Sequence, residues 1–113
     1  MESLLLLAAA TPAQLQALGR VRDSIIRLAV DLERGILAAG GEFHADCEEV
    51  LLDDGSVPEH VWGADLDLTD GTLRCISLIN IKPQQGSRTM AVQDPLVRAR
   101  IEAIVERVLG GAR

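Results

Sequence analysis

Tyrosine is absent from this chain, and phenylalanine and tryptophan occur once each, as Phe43 and Trp62. The core must therefore be packed from Leu, Ile, Val and Ala, and any pocket has few ring walls to build on. Cysteine is scarce too. Cys47 and Cys75 are separated by far more than a CxxC or metal-finger spacing, so they read as reduced thiols of a cytoplasmic protein. Basic charge is in deficit, with a formal net charge of −6, which argues against a general nucleic-acid binder because phosphate neutralisation needs a basic face. A nucleic-acid role would be confined to the Lys82–Arg100 region. Long apolar runs are missing: Leu4–Ala10 is far below the roughly 20 residues a membrane span needs, and no Lys or Arg precedes it as a signal peptide would require. It reads as a buried first strand.

What is present suffices for one domain over residues 1–113. Hydrophobic residues make up 48% of the chain, enough to fill a core without disulfides or a structural metal, and the length leaves no room for a second one. Charge is segregated. Ten acidic residues and no Lys or Arg lie between Glu42 and Asp70, and all eleven basic residues lie outside that stretch. Folding is expected to pair the two sets.

Thr11-Pro12-Ala13-Gln14 opens a helix, with Thr11 as N-cap and Gln14 closing a capping box; Gly19 weakens its far end. Residues 20–36 are ambiguous. Ile26, Leu28, Val30 and Leu32 alternate with polar or small residues as a strand does, whereas Leu15, Leu18, Val21, Ile25, Leu28 and Leu32 also fit a helical stripe. A hairpin is favoured, because Gly35 suits its left-handed turn position and Ile36–Ala39 reads as a return strand. Asp46 with Glu49 forms a second capping pattern before a short helix that ends at Gly55. Trp62 to Leu68 alternate as a half-exposed strand, Thr69-Asp70-Gly71-Thr72 signals a turn, and the more continuously apolar Leu73–Ile81 predicts a central strand stopped by Pro83. After a polar loop over Gln84–Gln93, Asp94 and Pro95 start a last helix with Val97, Ile101, Ile104, Val105 and Val108 on its buried stripe. The fold class expected is α+β: a mostly antiparallel sheet of about five strands with two or three packed helices, ordered β-α-β-β-α-β-β-α.

The densest polar cluster is Glu42-Phe43-His44-Ala45-Asp46-Cys47-Glu48. In an extended strand Glu42, His44, Asp46 and Glu48 would share one side, a set suited to a divalent ion such as Mn, Zn or Fe(II), or to acid–base chemistry. If a helix begins there, Asp46 is a cap, Glu42 a solvated turn residue and His44 a packed or hydrogen-bonded ring. The acidic neighbours of Cys47 oppose a thiolate nucleophile, and Cys75 reads as a small core residue. Ile79–Thr89 pairs a strand end with a loop carrying Lys82, Ser87 and Arg88, which can bind an anion or pair Arg88 with the acidic middle segment. Asn80 reads as a backbone partner more than a substrate ligand. Trp62-Gly63 is a core anchor or a pocket wall, with Gly63 permitting close approach.

Gly40-Gly41-Glu42-Phe43-His44-Ala45-Asp46, Leu51-Leu52 with Gly55-Ser56, Trp62-Gly63, Ile79-Asn80-Ile81-Lys82-Pro83 with Gln85-Gly86 and Arg88, and Asp94-Pro95 occur in an order that resembles a family of small prokaryotic proteins known only as a domain of unknown function, DUF5674. The resemblance covers roughly residues 25 to 108. It implies one complete bacterial domain and supports the hairpin at Gly35, and it implies no activity. The chain departs from that pattern in Lys82, where Arg is usual, in Ser87, where Asn is usual, and in the plainer Ala64-Asp65-Leu66-Asp67. A point-charge Lys would weaken a pocket that depends on a bidentate Arg.

Two functional readings follow. The first is a non-catalytic, self-associating interaction domain, a homodimer, in which these residues cap and brace the fold. The second is a ligand- or metal-binding protein, with hydrolysis as its chemistry. There Glu42, His44 and Asp46 hold a metal or act as acid and base, Lys82 and Arg88 clamp a small anion, and Trp62 and Asn80 complete the site.

Overall fold

The computed structural model describes residues 3–18 and 24–113 of the chain. Among them the elements run β1 (Leu4–Leu6), α1 (Pro12–Leu18), β2 (Ile25–Asp31), β3 (Ile36–Ala39), α2 (His44–Asp53), β4 (Val61–Asp67), β5 (Leu73–Arg74) and α3 (Pro95–Leu109). The strands form one sheet in the order β1-β3-β2-β4-β5, and every neighbouring pair is antiparallel. This is the expected α+β architecture in the expected element order. No described helix is long and apolar enough to cross a membrane.

Local chemistry accounts for the element starts. Thr11 Oγ1 accepts the Gln14 N–H at 3.2 Å while Gln14 Oε1 accepts the Thr11 N–H at 2.9 Å, a reciprocal box that opens α1. At α3, Asp94 Oδ1 accepts the Leu96 N–H at 2.9 Å and Pro95 occupies the first helical position. The ambiguous segment is a hairpin: Asp31 Oδ1 accepts the N–H groups of Glu33 and Arg34, and Gly35 turns the chain at φ +67°. The helical alternative loses because β2 pairs along both edges, with β3 and with β4. Val21 of that stripe, and Gly19 at the far end of α1, lie outside the described residues.

Side chains alternate across β2 and β4, so each strand feeds two cores. One face carries Leu28, Val30, Trp62, Ala64 and Leu66 against Leu18 of α1 and Ile101 and Val105 of α3. The opposite face carries Ala29, Ala38 and Val61 against Cys47 and Leu51 of α2. A helix layer on each side makes the molecule three layers deep at its centre. Val61–Ala64 is consequently buried throughout, where alternation predicts a half-exposed strand: Gly63 and Ala64 meet protein on both faces.

The expectation of a central strand over Leu73–Ile81 is overturned. Pairing with β4 ends at Arg74, and the chain turns into a 3-10 helix at Leu78–Asn80 and another at Pro83–Gln85. The apolar run that suggested two-sided burial is largely on the surface, with Ile76, Leu78 and Ile81 exposed. Gly63 is the physical reason. Ser77 and Ile79 press so closely on it that a Cβ built there would lie 2.7 Å from Ser77 Cβ, a contact that an ordinary fifth strand beside β4 would not make.

Candidate functional site

The Glu42–Glu48 cluster folds into the start of α2 and does not form one ligand set. Phe43 is the N-cap, and its N–H donates to Asp46 Oδ2 at 2.9 Å, so Asp46 closes a capping box one turn earlier than the Asp46/Glu49 spacing suggests. Glu42 is exposed. His44 shares a helix face with Cys47 and Leu51, and its Nε2 lies 2.7 Å from Asp65 Oδ1 of β4, tying helix to sheet. The extended geometry that would aim Glu42, His44 and Asp46 at one ion is therefore absent. Among the described residues no three His, Cys, Asp or Glu side chains come together as a metal site.

The second polar group is also spent largely on the fold. Asn80 is fully buried; its Oδ1 accepts the Gly63 N–H at 2.7 Å, and its Nδ2 donates to the carbonyls of Gly63 at 3.0 Å and Met90 at 3.1 Å. It satisfies the edge of β4 beyond the point where β5 ends. Lys82 Nζ donates to the Pro58 carbonyl at 2.7 Å and stands 5.2 Å from the centre of the Trp62 ring. Burial pushes its pKa below the ordinary lysine value, against the opposing pull of Glu48 and Glu59. Its ammonium is held by a carbonyl, and Lys82 is not among the residues that line the cleft with Arg88.

His44 reaches the α2 face of the sheet through Asp65, whereas Trp62, three residues earlier on β4, belongs to the α3 face. The sheet lies between them.

Trp62 and Arg88 do come together. They line a cleft of about 330 Å³ between the Gln84–Gln93 loop and the first turn of α3, with Val92 and Val97 on its apolar side and Asp94 on its polar side. Trp62 is only 5% exposed, so it is both core anchor and cleft floor. Arg88 is exposed and makes no hydrogen bond or ion pair among the described residues, contrary to the expectation that it pairs with the acidic middle segment. That neutralisation is carried by Arg34 with Asp54 at 2.6 Å and Arg74 with Asp67 at 3.2 Å.

The chain between Ile76 and Ala91 also carries exposed apolar residues. Residues 76 and 91, and 82 and 87, bridge as antiparallel partners, folding the segment into a ribbon beside β4. Ile76, Leu78, Ile81 and Met90 on that ribbon are 44%, 72%, 41% and 42% exposed. The thiols are chemically quiet. Burial pushes Cys47 up, and its Sγ donates to the Arg27 carbonyl at 3.5 Å. Burial, helped by Glu102, pushes Cys75 up to about 11.

Sequence reasoning missed Asp65 as the partner of His44, a contact across 21 positions that no local pattern announces. It also missed Val92, Asp94 and Val97 as cleft walls, although the abrupt Asp94-Pro95 helix start after the loop was the available signal.

No curated protein and no solved structure matches this sequence. A family profile does, over residues 4–108. Nearly the whole described fold, from β1 to the last turn of α3, lies within that match, and the chain belongs to the family described as protein of unknown function, DUF5674.

Proposed function

We propose that the protein is a non-catalytic, self-associating α+β domain, a homodimer formed through the ribbon outside β4. One observation carries this reading: four large apolar side chains, Ile76, Leu78, Ile81 and Met90, each stand more than two-fifths exposed on one short ribbon. Single exposed apolar residues are ordinary, whereas several on one surface element are the signature of a contact. The ribbon also suits a twofold contact, because a self-complementary apolar face needs no charge pairing to close. The polar residues that looked catalytic serve the fold in this reading, His44 and Asp46 at α2, Asn80 and Lys82 at β4. The unpaired Cys47 and Cys75 thiols support a cytoplasmic location in a bacterial cell.

Light scattering on the eluting protein across a concentration series tests it. The expected species is twice the 12.1 kDa chain mass, and Leu78→Asp with Met90→Asp should give a monomer with an unchanged circular dichroism spectrum. A strict monomer at every concentration would sink the reading.

A further inference from the structure

We propose that the cleft over Trp62 binds a small monocarboxylate with an apolar or aromatic body, the carboxylate seated on Arg88. The floor and one wall are apolar, from Trp62, Val92 and Val97, and the space is about 330 Å³. That is the low end of ligand cavities, room for one ring and a short arm. An apolar body there would lie on the indole of a residue already fixed by the core.

The charge pattern selects the head group. Every other basic side chain between Arg74 and Arg113 donates to a carbonyl or carboxylate among the described residues: Arg74, Lys82, Arg98, Arg100, Arg107 and Arg113 are all engaged. Arg88 alone in that series is not. The backbone N–H groups of Arg88, Thr89 and Gln93, in the same cleft-lining segment, also donate to nothing among the described residues. A planar guanidinium with adjacent unpaired N–H groups matches a carboxylate or a phosphate. Asp94 decides between them. Its carboxylate lines the same cleft while capping α3, so a second negative charge on the ligand would meet it without a second cation to offset the repulsion. A monoanion is tolerated and a phosphate dianion is not.

Trp62 is the only tryptophan, and the chain has no tyrosine, so intrinsic tryptophan fluorescence comes from the cleft floor. Phenylacetate, titrated at constant ionic strength, should change Trp62 emission saturably, with half-saturation in the ~1–10 mM range of a small fragment or tighter. Phenylethanol, which has the ring without the charge, and inorganic phosphate, which has the charge without the ring, should produce no saturable change. Arg88→Gln, at an exposed position that leaves the circular dichroism spectrum unaltered, should weaken phenylacetate by about 10- to 100-fold. An undiminished response in Arg88→Gln, or no saturable response to phenylacetate in the parent protein, overturns the proposal. Phosphate binding as tightly as phenylacetate overturns the choice of a monocarboxylate. None of these outcomes depends on whether the protein self-associates.

Discussion

Asn80 pairs with the backbone of Gly63 as another peptide group would, its Oδ1 2.7 Å from the Gly63 nitrogen and its Nδ2 3.0 Å from the Gly63 oxygen. The side chain thus stands in for a strand at the open edge of β4, and Gly63 admits it because no Cβ holds Ser77 and Ile79 away. Asn80→Ala leaves the Gly63 N–H and carbonyl without a partner, while the Met90 carbonyl keeps the Ser77 N–H, and it should lower unfolding free energy by about 2–4 kcal/mol. Gly63→Ala should cost about 1–3 kcal/mol through the clash with Ser77, and Ser77→Gly in the same chain should recover part of it. Urea unfolding of Asn80→Ala, Gly63→Ala, Ser77→Gly and the Gly63→Ala/Ser77→Gly double variant measures both effects. Additive losses in the double variant would mean that Ser77 is not the obstacle.

His44 joins α2 to β4 through Asp65, with both side chains partly shielded. His44→Ala should destabilise the fold by about 1–2 kcal/mol, while Asp65→Asn, which keeps an acceptor at the same place, should lose less. Because Glu42, His44 and Asp46 do not gather, Zn or Mn added to metal-stripped protein should leave Tm unchanged in parent and variant alike. A metal-induced rise in Tm that vanishes in His44→Ala would contradict the structural role given to this histidine.

Lys82 carries a charge that the fold partly removes from water, which lowers its pKa below 10.5. In the window between that lowered value and 10.5 the unfolded chain still holds the proton and the folded chain begins to release it. Stability contributed at this site therefore rises with pH across that alkaline window. Relative to Lys82→Met, the parent protein should gain stability as pH climbs toward 10.5, read from chemical unfolding at a series of pH values. Parallel curves for the two proteins would show that burial does not act on this amine.

Cys75 titrates near 11 against an ordinary 9.0. Two pK units reduce its thiolate at mildly alkaline pH by roughly a hundredfold, so a disulfide reagent should label it far more slowly than a free thiol. In denaturant both cysteines should react at the ordinary rate. Fast labelling of the native protein would mean that the half-buried position opens readily.

Much of the architecture was legible in local chemistry. The Thr11/Gln14 box, the left-handed Gly35 and the Asp94-Pro95 start are each governed by interactions within four residues, and each stands where its pattern predicts. The α2 start was displaced by one turn, because Asp46 serves as the third helical residue rather than the cap. Asp46's role depends on where Phe43 is held, which the Asp46/Glu49 spacing does not reveal. The candidate site was less legible. Lys82, Asn80 and His44 were weighed as ligand-binding residues, with Asn80 read first as a backbone partner, as it proves to be. Their hydrogen bonds run to Pro58, Gly63 and Asp65, 24, 17 and 21 positions away. Trp62 and Arg88, of the residues named, share an open space.

The amino-acid sequence by itself determined the element order, the caps of α1 and α3, the hairpin at Gly35 and an aliphatic core, because period, capping and turn chemistry act over a few residues. Tertiary structure alone decided which face of β4 each polar residue serves, and that Leu73–Ile81 leaves the sheet after two paired residues. A one-residue notch at Gly63 lets a distant segment approach closer than a strand would, and Asn80 then satisfies the backbone edge that a strand otherwise would. Both effects depend on contacts between residues far apart in the chain, where side-chain periodicity carries no information.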